Sequence, residues 1–131
     1  MSGARAATVA VVADDDGVTR RILSVLLERQ GCEVHVAVDG DAALALVRDR
    51  RPEILFLDAR MPGLDGFEVC RAVRDELPSD VQPFVFMITA AGEAADRERA
   101  SSVGIDEFLT KPFSPSQLSN LLGQLAAPRR T

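Results

Sequence analysis

The sequence contains no apolar run long enough to cross a membrane, since none approaches the ~20 residues that a spanning helix requires. Its first residues, MSGARAAT, also lack the apolar core of a secretory signal peptide. These absences argue against a membrane protein and against a secreted one. We therefore expect a cytoplasmic protein with no membrane partner.

Cysteine and histidine, which hold most structural zinc ions, are nearly absent. The chain has two cysteines, Cys32 and Cys70, and one histidine, His35. The cysteines do not have metal-ligand spacing, and we interpret them as reduced structural residues. His35 falls on a predicted outer strand with no partner at metal spacing, so we interpret it as a surface or half-buried residue.

Positive charge is also scarce and almost entirely of one kind. The net charge is −5, and of the fifteen basic residues only Lys111 is a lysine. Arg48, Arg50 and Arg51 lie at a predicted helix end, where cations interact favourably with the helix dipole, and no other basic cluster stands out. We therefore expect no direct binding of nucleic acid. The single lysine suggests a position that needs a compact ammonium group.

Short β-rich runs alternate with segments of helical periodicity along the chain. Strands are predicted over five ranges: 8–13, 33–37, 54–58, 83–89 and 106–110. Helices are predicted over 18–30, 41–50, 66–76 and 93–103, and a last one follows the sequence SPSQ. The third and fourth strand runs are continuously apolar, which is typical of strands covered on both faces.

This alternation predicts an α/β protein with a flavodoxin-like (βα)5 fold, a doubly wound parallel sheet with strand order 2-1-3-4-5. We expect a single domain over 1–131, with its core over 8–126 and short tails at 1–7 and 127–131. One apolar face is predicted for the first helix: Val18, Ile22, Val25 and Leu26.

Three consecutive aspartates, Asp14, Asp15 and Asp16, follow the first predicted strand. Two carboxylates ~4 Å apart repel by about 4 kcal/mol at an effective dielectric of ~20, so such a cluster requires a cation. Asp58 ends the third strand, which neighbours the first, and is expected beside the cluster. Oxygen ligands of this kind select Mg²⁺, with Mn²⁺ as the alternative ion. We interpret Asp16 as the cap of the first helix.

Thr89 follows the fourth strand and Lys111 the fifth. Because ligands bind outside the carboxyl ends of parallel strands, both are expected to face the same crevice as Asp58. A metal beside a carboxylate, with a hydroxyl and an ammonium opposite, is suited to phosphoryl transfer. The carboxylate attacks, while the metal and Lys111 stabilise charge on the transferring oxygens.

With these residues the chain resembles the receiver domain of the two-component response-regulator family, of the single-domain, chemotaxis type. The resemblance covers residues 8–126. It depends on four motifs in order: ADDDG with Arg20 and Leu23 after it, LDARMPGLDGFE at 57–68, MITA at 87–90, and GIDEFLTKPF at 104–113.

The resemblance implies a role for each matching residue at the metal. Asp58 would be the phosphoacceptor and a metal ligand. Asp15 would bind Mg²⁺ directly, and Asp14 would act largely through water. The backbone carbonyl of Arg60 would be a further ligand, and no cofactor other than the metal is implied.

The resemblance also implies how the switch would work. Thr89 would bind the phosphoryl group and move towards it, Phe108 would be the coupled aromatic switch, and Lys111 would hold a phosphoryl oxygen. Phe108 stands where tyrosine is more frequent, so a hydroxyl contact is lost. Arg60 and Ala91 occupy variable positions that tune the lifetime of the phosphoryl group in the family.

The helix over 93–103 is the weakest in apolar surface, because AGEAADRERASS consists mostly of alanine and charged residues. Such a helix opens or shifts at low cost. Our hypothesis is that this helix, the strand over 106–110 and the last helix form the face that changes when Asp58 is phosphorylated.

The resemblance implies a signalling switch and not an enzyme with an external substrate. It would accept a phosphoryl group from a sensor histidine kinase or a histidine phosphotransfer protein, assist its own dephosphorylation, and control a protein partner. The alternative to a separate protein partner is a second copy of the chain, bound in a phosphorylation-dependent homodimer. The chain ends soon after the last helix, either as a stand-alone receiver or as the receiver part of a longer chain.

Other functions on the same fold fit these residues less well. A phosphorylation-independent docking module is the alternative, but such modules usually lack part of this residue set. A flavin or phosphate binder would need hydroxyl and amide groups where DDDG stands. A phosphohydrolase would need a second aspartate just after the nucleophile, where Ala59 and Arg60 stand.

Overall fold

The computed structural model describes residues 8–90, 98–99 and 102–126, with side chains as far as Gly123. Its elements in chain order are β1 (Thr8–Ala13), α1 (Gly17–Arg29), β2 (Cys32–Ala37), α2 (Gly40–Arg50), β3 (Ile54–Asp58), α3 (Gly66–Glu76), a short 3₁₀ helix (Ser79–Val81), β4 (Phe84–Ala90), β5 (Glu107–Lys111) and α4 (Pro115–Ala126). The helices within these described ranges include none that is long and apolar enough to span a bilayer.

The sheet confirms the predicted topology. Its five strands are parallel and lie in the order β2-β1-β3-β4-β5. Every residue of the central strand β3 is buried, whereas the edge strand β2 is mostly half-exposed. In register, Ala13 pairs with Leu57 and Asp58 with Ile88. The carboxyl ends of β1, β3 and β4 therefore meet at one edge of the sheet.

Helices cover both faces of this sheet, and successive residues of the central strands point to opposite layers. Leu57 joins a buried cluster with Val47 of α2 and Phe67 of α3. Its neighbour Phe56 joins the opposite cluster with Leu27 of α1 and with leucines of α4. The central strands must be apolar on both faces for this reason, which explains their unbroken apolar runs.

The prediction for the apolar face of α1 is confirmed only in part: Leu26 is half-buried against the core, but Val18 and Ile22 are exposed. Three residues of this helix are buried: Thr19, Leu23 and Leu27. Val18 is 66% exposed and Ile22 is 42% exposed. The buried face is therefore displaced around the helix from the predicted one, and it includes Thr19, which donates its hydroxyl hydrogen to Asp16 Oδ2 at 2.7 Å. Because its hydroxyl is satisfied, a polar residue can occupy the buried face.

The helix predicted over 93–103 lies largely outside the described residues, as does Ala91, and its four described positions are helical. One of them, Arg99, donates to Asp65 Oδ2 at 3.0 Å. Its guanidinium carbon also lies 4.4 Å from the centroid of the Phe67 ring. Arg99 therefore contacts the first turn of α3 by an ion pair and a cation–π contact.

The two cysteines are free thiols. Cys32 is half-buried, and Cys70 is buried with its Sγ donating to the Val103 carbonyl at 3.3 Å. Burial raises the pKa of the Cys70 thiol to about 11, so Cys70 remains a neutral side chain. The Nε2 atom of His35 lies 2.6 Å from Glu33 Oε2.

Candidate functional site

The loop after β1 holds Asp14 firmly. Asp14 is fully buried, its backbone N–H donates to the Ala37 carbonyl at 3.2 Å, and its Oδ1 accepts the Asp16 N–H at 2.8 Å. Among the described residues, Asp14 Oδ2 accepts no hydrogen bond, although Lys111 Nζ lies 3.1 Å away. Asp16 caps α1, as predicted, by accepting the Val18 N–H at 3.2 Å.

Asp58 ends β3 and is only 7% exposed. Its Oδ1 accepts the Arg60 backbone N–H at 3.1 Å, and its Oδ2 lies 3.8 Å from Lys111 Nζ. Helix α3 begins directly against this residue, because an added Cβ on Gly66 would lie 2.3 Å from the Asp58 carbonyl oxygen. A glycine at this position therefore allows the close contact that fixes the Asp58 backbone.

Asp14, Asp15 and Asp58 could together hold a metal ion. Each offers one carboxylate oxygen, and these oxygens lie within 4.8 Å of one another. The buried Asp14 Oδ2 is compensated by one cation, Lys111 Nζ at 3.1 Å, whereas three carboxylates meet here, so the crevice keeps an excess of negative charge that favours a metal ion. The site offers few oxygen ligands, and Asp15 is exposed on its solvent side. Such a site suits Mg²⁺, because this ion usually keeps several of its water ligands.

The charges in this crevice shift two pKa values. Burial, together with the nearby Asp14 carboxylate, raises the pKa of Asp58 to about 7, against the opposing effects of the Arg60 N–H and the Lys111 charge. Burial acts to lower the pKa of Lys111, but the carboxylates of Asp14 and Asp58 outweigh it and raise that pKa above its usual value. Lys111 is therefore a persistent cation beside a carboxyl group that ionises near neutral pH.

The other predicted residues lie around this crevice in different ways. Thr89 is buried near the end of β4, one residue beyond the register partner of Asp58. Phe108 packs against the core between the sheet and the α2–α3 layer, and Arg60 has an exposed side chain. The structure thus places the acidic residues close to Lys111. The roles of Thr89, Phe108 and the Arg60 carbonyl remain predictions.

Arg20 makes a contact that its place after the ADDDG motif did not predict. Its Nη1 donates to the backbone carbonyl of Asp14 at 2.8 Å. A signal was present in the sequence: Arg20 lies four residues after the cap Asp16, near the positive end of the helix dipole. A cation is disfavoured there unless another interaction holds it.

Among the described residues, grooves lie at both ends of the strands. One of about 480 Å³ lies at the edge opposite the acidic crevice, beside the starts of β1 and β3, and charges of both signs line it. The other, of about 370 Å³, adjoins the crevice. Its lining residues are Thr19, Ile22, Lys111, Pro112 and Phe113. Only the second groove is connected to the predicted chemistry, through Lys111.

Comparison with known proteins identifies relatives of this arrangement. The family model of the response regulator receiver domain matches residues 10–123. The probable transcriptional regulator ycf27 of Cyanophora paradoxa is 40% identical over 121 residues, which are 92% of this chain and 48% of that protein. This chain spans about half the length of the curated relatives that it matches first.

Solved structures share the fold over almost the same range. The chemotaxis response regulator CheY4 of Vibrio cholerae is 31% identical with a TM-score of 0.82, over 91% of this chain and 98% of that one. The receiver domain of the sensor histidine kinase PA1611 of Pseudomonas aeruginosa is 26% identical with a TM-score of 0.80, over 91% and 97%. That domain has a magnesium ion coordinated in its active site cleft.

The family match spans most of the chain and includes four strands completely and β1 from its third residue. The strand order and the acidic crevice agree with the motifs that carried the resemblance. The chain belongs to the response regulator receiver domain family, whose members are signalling switches and not metabolic enzymes.

Proposed function

We propose that this receiver domain is a phosphorylation-activated switch in which Asp58 accepts a phosphoryl group in a Mg²⁺-dependent reaction. One observation carries the proposal: oxygens of Asp14, Asp15 and Asp58 lie within 4.8 Å of one another, and Lys111 Nζ is 3.1 Å from Asp14 and 3.8 Å from Asp58. The magnesium ion in the PA1611 receiver domain supports the choice of metal.

The proposed donor is a phosphohistidine on a sensor histidine kinase or a histidine phosphotransfer protein. A carboxylate oxygen of Asp58 bonds to phosphorus while the bond from phosphorus to the imidazole nitrogen breaks. The electron pair stays on the imidazole, whose other nitrogen carries the proton that makes the leaving group neutral. Asp15 and Asp58, with Asp14 acting through water, would hold a Mg²⁺ ion, and that ion would neutralise negative charge on the transferring oxygens.

Other residues of the chain position the group that is transferred. The Lys111 ammonium donates to one phosphoryl oxygen, and its raised pKa keeps it charged throughout. The Thr89 hydroxyl donates to a second oxygen, and Phe108 follows its movement. Through these residues, phosphorylation alters the face formed by residues 93–103, β5 and α4, where a protein partner or a second copy of the chain binds.

Intact mass after incubation with Mg²⁺ and acetyl phosphate tests this proposal. Wild type should gain one phosphoryl group, whereas Asp58→Asn should gain none and chelation of Mg²⁺ should abolish the gain. Asp49→Asn is the matched control, since the Asp49 side chain is 75% exposed on α2, and it should behave as wild type. An adduct on Asp58→Asn, or none on wild type, would refute the proposal.

A further inference from the structure

The backbone of Asp14 is held from two sides. Its N–H donates to the Ala37 carbonyl of β2 at 3.2 Å, and its carbonyl accepts a hydrogen from Arg20 Nη1 at 2.8 Å. The second bond is charge-assisted, which makes it stronger than an ordinary hydrogen bond. The peptide that joins Asp14 to Asp15 is therefore fixed to α1 through the Arg20 side chain.

Asp15 has few other constraints. It is exposed, and the hydrogen bonds and ion pairs described for residues 8–90, 98–99 and 102–126 include none from its side chain. The backbone on which it stands therefore sets where the side chain starts and which positions its carboxylate can reach. The contact that fixes that backbone on the carbonyl side comes from Arg20.

The path of the Arg20 side chain is also specific. An added Cβ on Gly17 would lie 3.4 Å from Arg20 Nη2, so the guanidinium lies back over the first turn of α1. A positive charge at this end of a helix opposes the helix dipole. The bond to the Asp14 carbonyl explains why an arginine is held in this unfavourable place.

We infer that Arg20 is a positioning residue for the proposed magnesium site. It orients the peptide between Asp14 and Asp15 so that the Asp15 carboxylate is directed at the metal. This inference rests on the proposed function, because it concerns the affinity of the acidic crevice for Mg²⁺. Groups that orient metal ligands typically change metal affinity by about 10–100-fold when they are removed.

The sign of the effect separates positioning from simple electrostatics. A cation near a metal site repels Mg²⁺, so removal of the Arg20 charge alone would tighten binding or leave it unchanged. Loss of the positioning contact would weaken binding. Arg21 is the matched control, because it is an exposed arginine on the same turn of α1 and carries the same charge.

Isothermal titration of Mg²⁺ into wild type, Arg20→Met and Arg21→Met tests the inference. Methionine keeps much of the aliphatic stem but removes both the donor and the charge. We expect Kd to rise about tenfold or more for Arg20→Met and to stay equal or fall for Arg21→Met. Arg20→Lys keeps the positive charge and one donor group but has a shorter side chain. Its Kd should therefore lie between those of wild type and Arg20→Met.

Each outcome has a distinct meaning. If wild type binds Mg²⁺ and Arg20→Met binds it as tightly as Arg21→Met, the inference is wrong and the proposed function stands. If wild type does not bind Mg²⁺, the proposed function fails and the inference fails with it. Should Arg20→Met not fold, Arg20→Lys is compared with Arg21→Lys, and equal Kd values would overturn the inference.

Discussion

Gly66 constrains the candidate phosphoacceptor although it has no side chain. An added Cβ would lie 2.3 Å from the Asp58 carbonyl oxygen and 3.0 Å from Met87 Sδ, so Gly66→Ala must push α3 away from β3. We expect the free energy of unfolding to fall by about 1–3 kcal/mol, as for other overpacked cores. Phosphorylation of Asp58 should slow as well. Urea unfolding and acetyl phosphate labelling measure the two effects.

Gly123 provides the control for this substitution. It is exposed in α4, and an added Cβ would meet nothing within 4 Å. Gly123→Ala should therefore raise the free energy of unfolding by about 0.5–1 kcal/mol through helix propensity alone. If Gly66→Ala and Gly123→Ala raised the free energy of unfolding equally, the close contact at Gly66 would make no contribution to stability.

The sequence predicted the residues of the crevice better than the contacts among them. Asp14, Asp58 and Lys111 end or follow strands, and strand order alone brings such residues together. The burial of Thr19 and the bond from Arg20 could not be predicted in this way. Both depend on a side-chain donor meeting one particular acceptor at under 3 Å, and apolar periodicity carries no information about such distances.

Helix α3 is bound near its end to the segments that lead into β4 and β5. The Arg74 guanidinium donates to the carbonyls of Pro83 and Gly104 at 2.9 and 2.7 Å. It also donates to Gln82 Oε1 at 2.7 Å and to Asp106 Oδ2 at 2.8 Å. One side chain therefore ties a helix to two strands at the edge of the sheet opposite the crevice.

Substitution of Arg74 should destabilise the fold without altering the chemistry of the crevice. Arg74→Ala removes the charged donor from two part-buried acceptors, Gln82 Oε1 and the Pro83 carbonyl, so we expect a loss of about 2–3 kcal/mol in the free energy of unfolding. Arg71→Ala, at an exposed position of the same helix, should change it by less than about 0.5 kcal/mol. Thermal or urea unfolding gives the comparison, and equal losses in the two variants would disprove a specific role for Arg74.

The first turns of α1 expose apolar side chains beside the crevice, where Ile22 and Lys111 line the same groove. Because this groove adjoins the candidate phosphoacceptor, we expect a phosphohistidine protein to contact it during transfer. Ile22→Glu should then slow transfer from a phosphohistidine protein by about tenfold or more, since buried apolar anchors dominate such interfaces. Labelling by acetyl phosphate should not change, because that donor needs no docking surface.

Val38 supplies the control for this docking experiment. It is also exposed, but it lies in the connection between β2 and α2, outside that groove. Val38→Glu should therefore leave transfer from the histidine donor unchanged. An equal loss of transfer in both variants would argue for a general effect of the added charge.

The complete sheet was predictable because alternation of strands and helices, with right-handed crossovers, leaves few topologies. The predicted strand order is the common one for a five-stranded doubly wound sheet, and the runs that are apolar on both faces agree with it because they belong to inner strands. The segment AGEAADRERASS was harder to interpret, because alanine and charged residues mark no apolar face. Its contacts, such as Arg99 with Asp65, depend on tertiary structure and not on local periodicity.

The response of the domain to phosphorylation can be followed across the whole chain by amide hydrogen exchange. We expect beryllofluoride, a phosphoryl mimic, to change protection in residues 90–112, because the sequence AGEAADRERASS contains few large apolar residues and such segments shift at low cost. Protection in β1 and β3 should change little, since these strands lie in the buried core of the sheet. Identical exchange over 90–112 in both states would refute the proposed output face.

Lys111 is the single lysine of the sequence, and its ammonium lies beside the carboxylates of Asp14 and Asp58. Its side chain is 31% exposed. Apart from the N-terminal amine, an amine-directed probe can therefore reach this protein only inside the acidic crevice. The raised pKa of Lys111 slows this reaction, because only the neutral amine reacts, and a Mg²⁺ ion bound beside it should change the labelling rate at this residue.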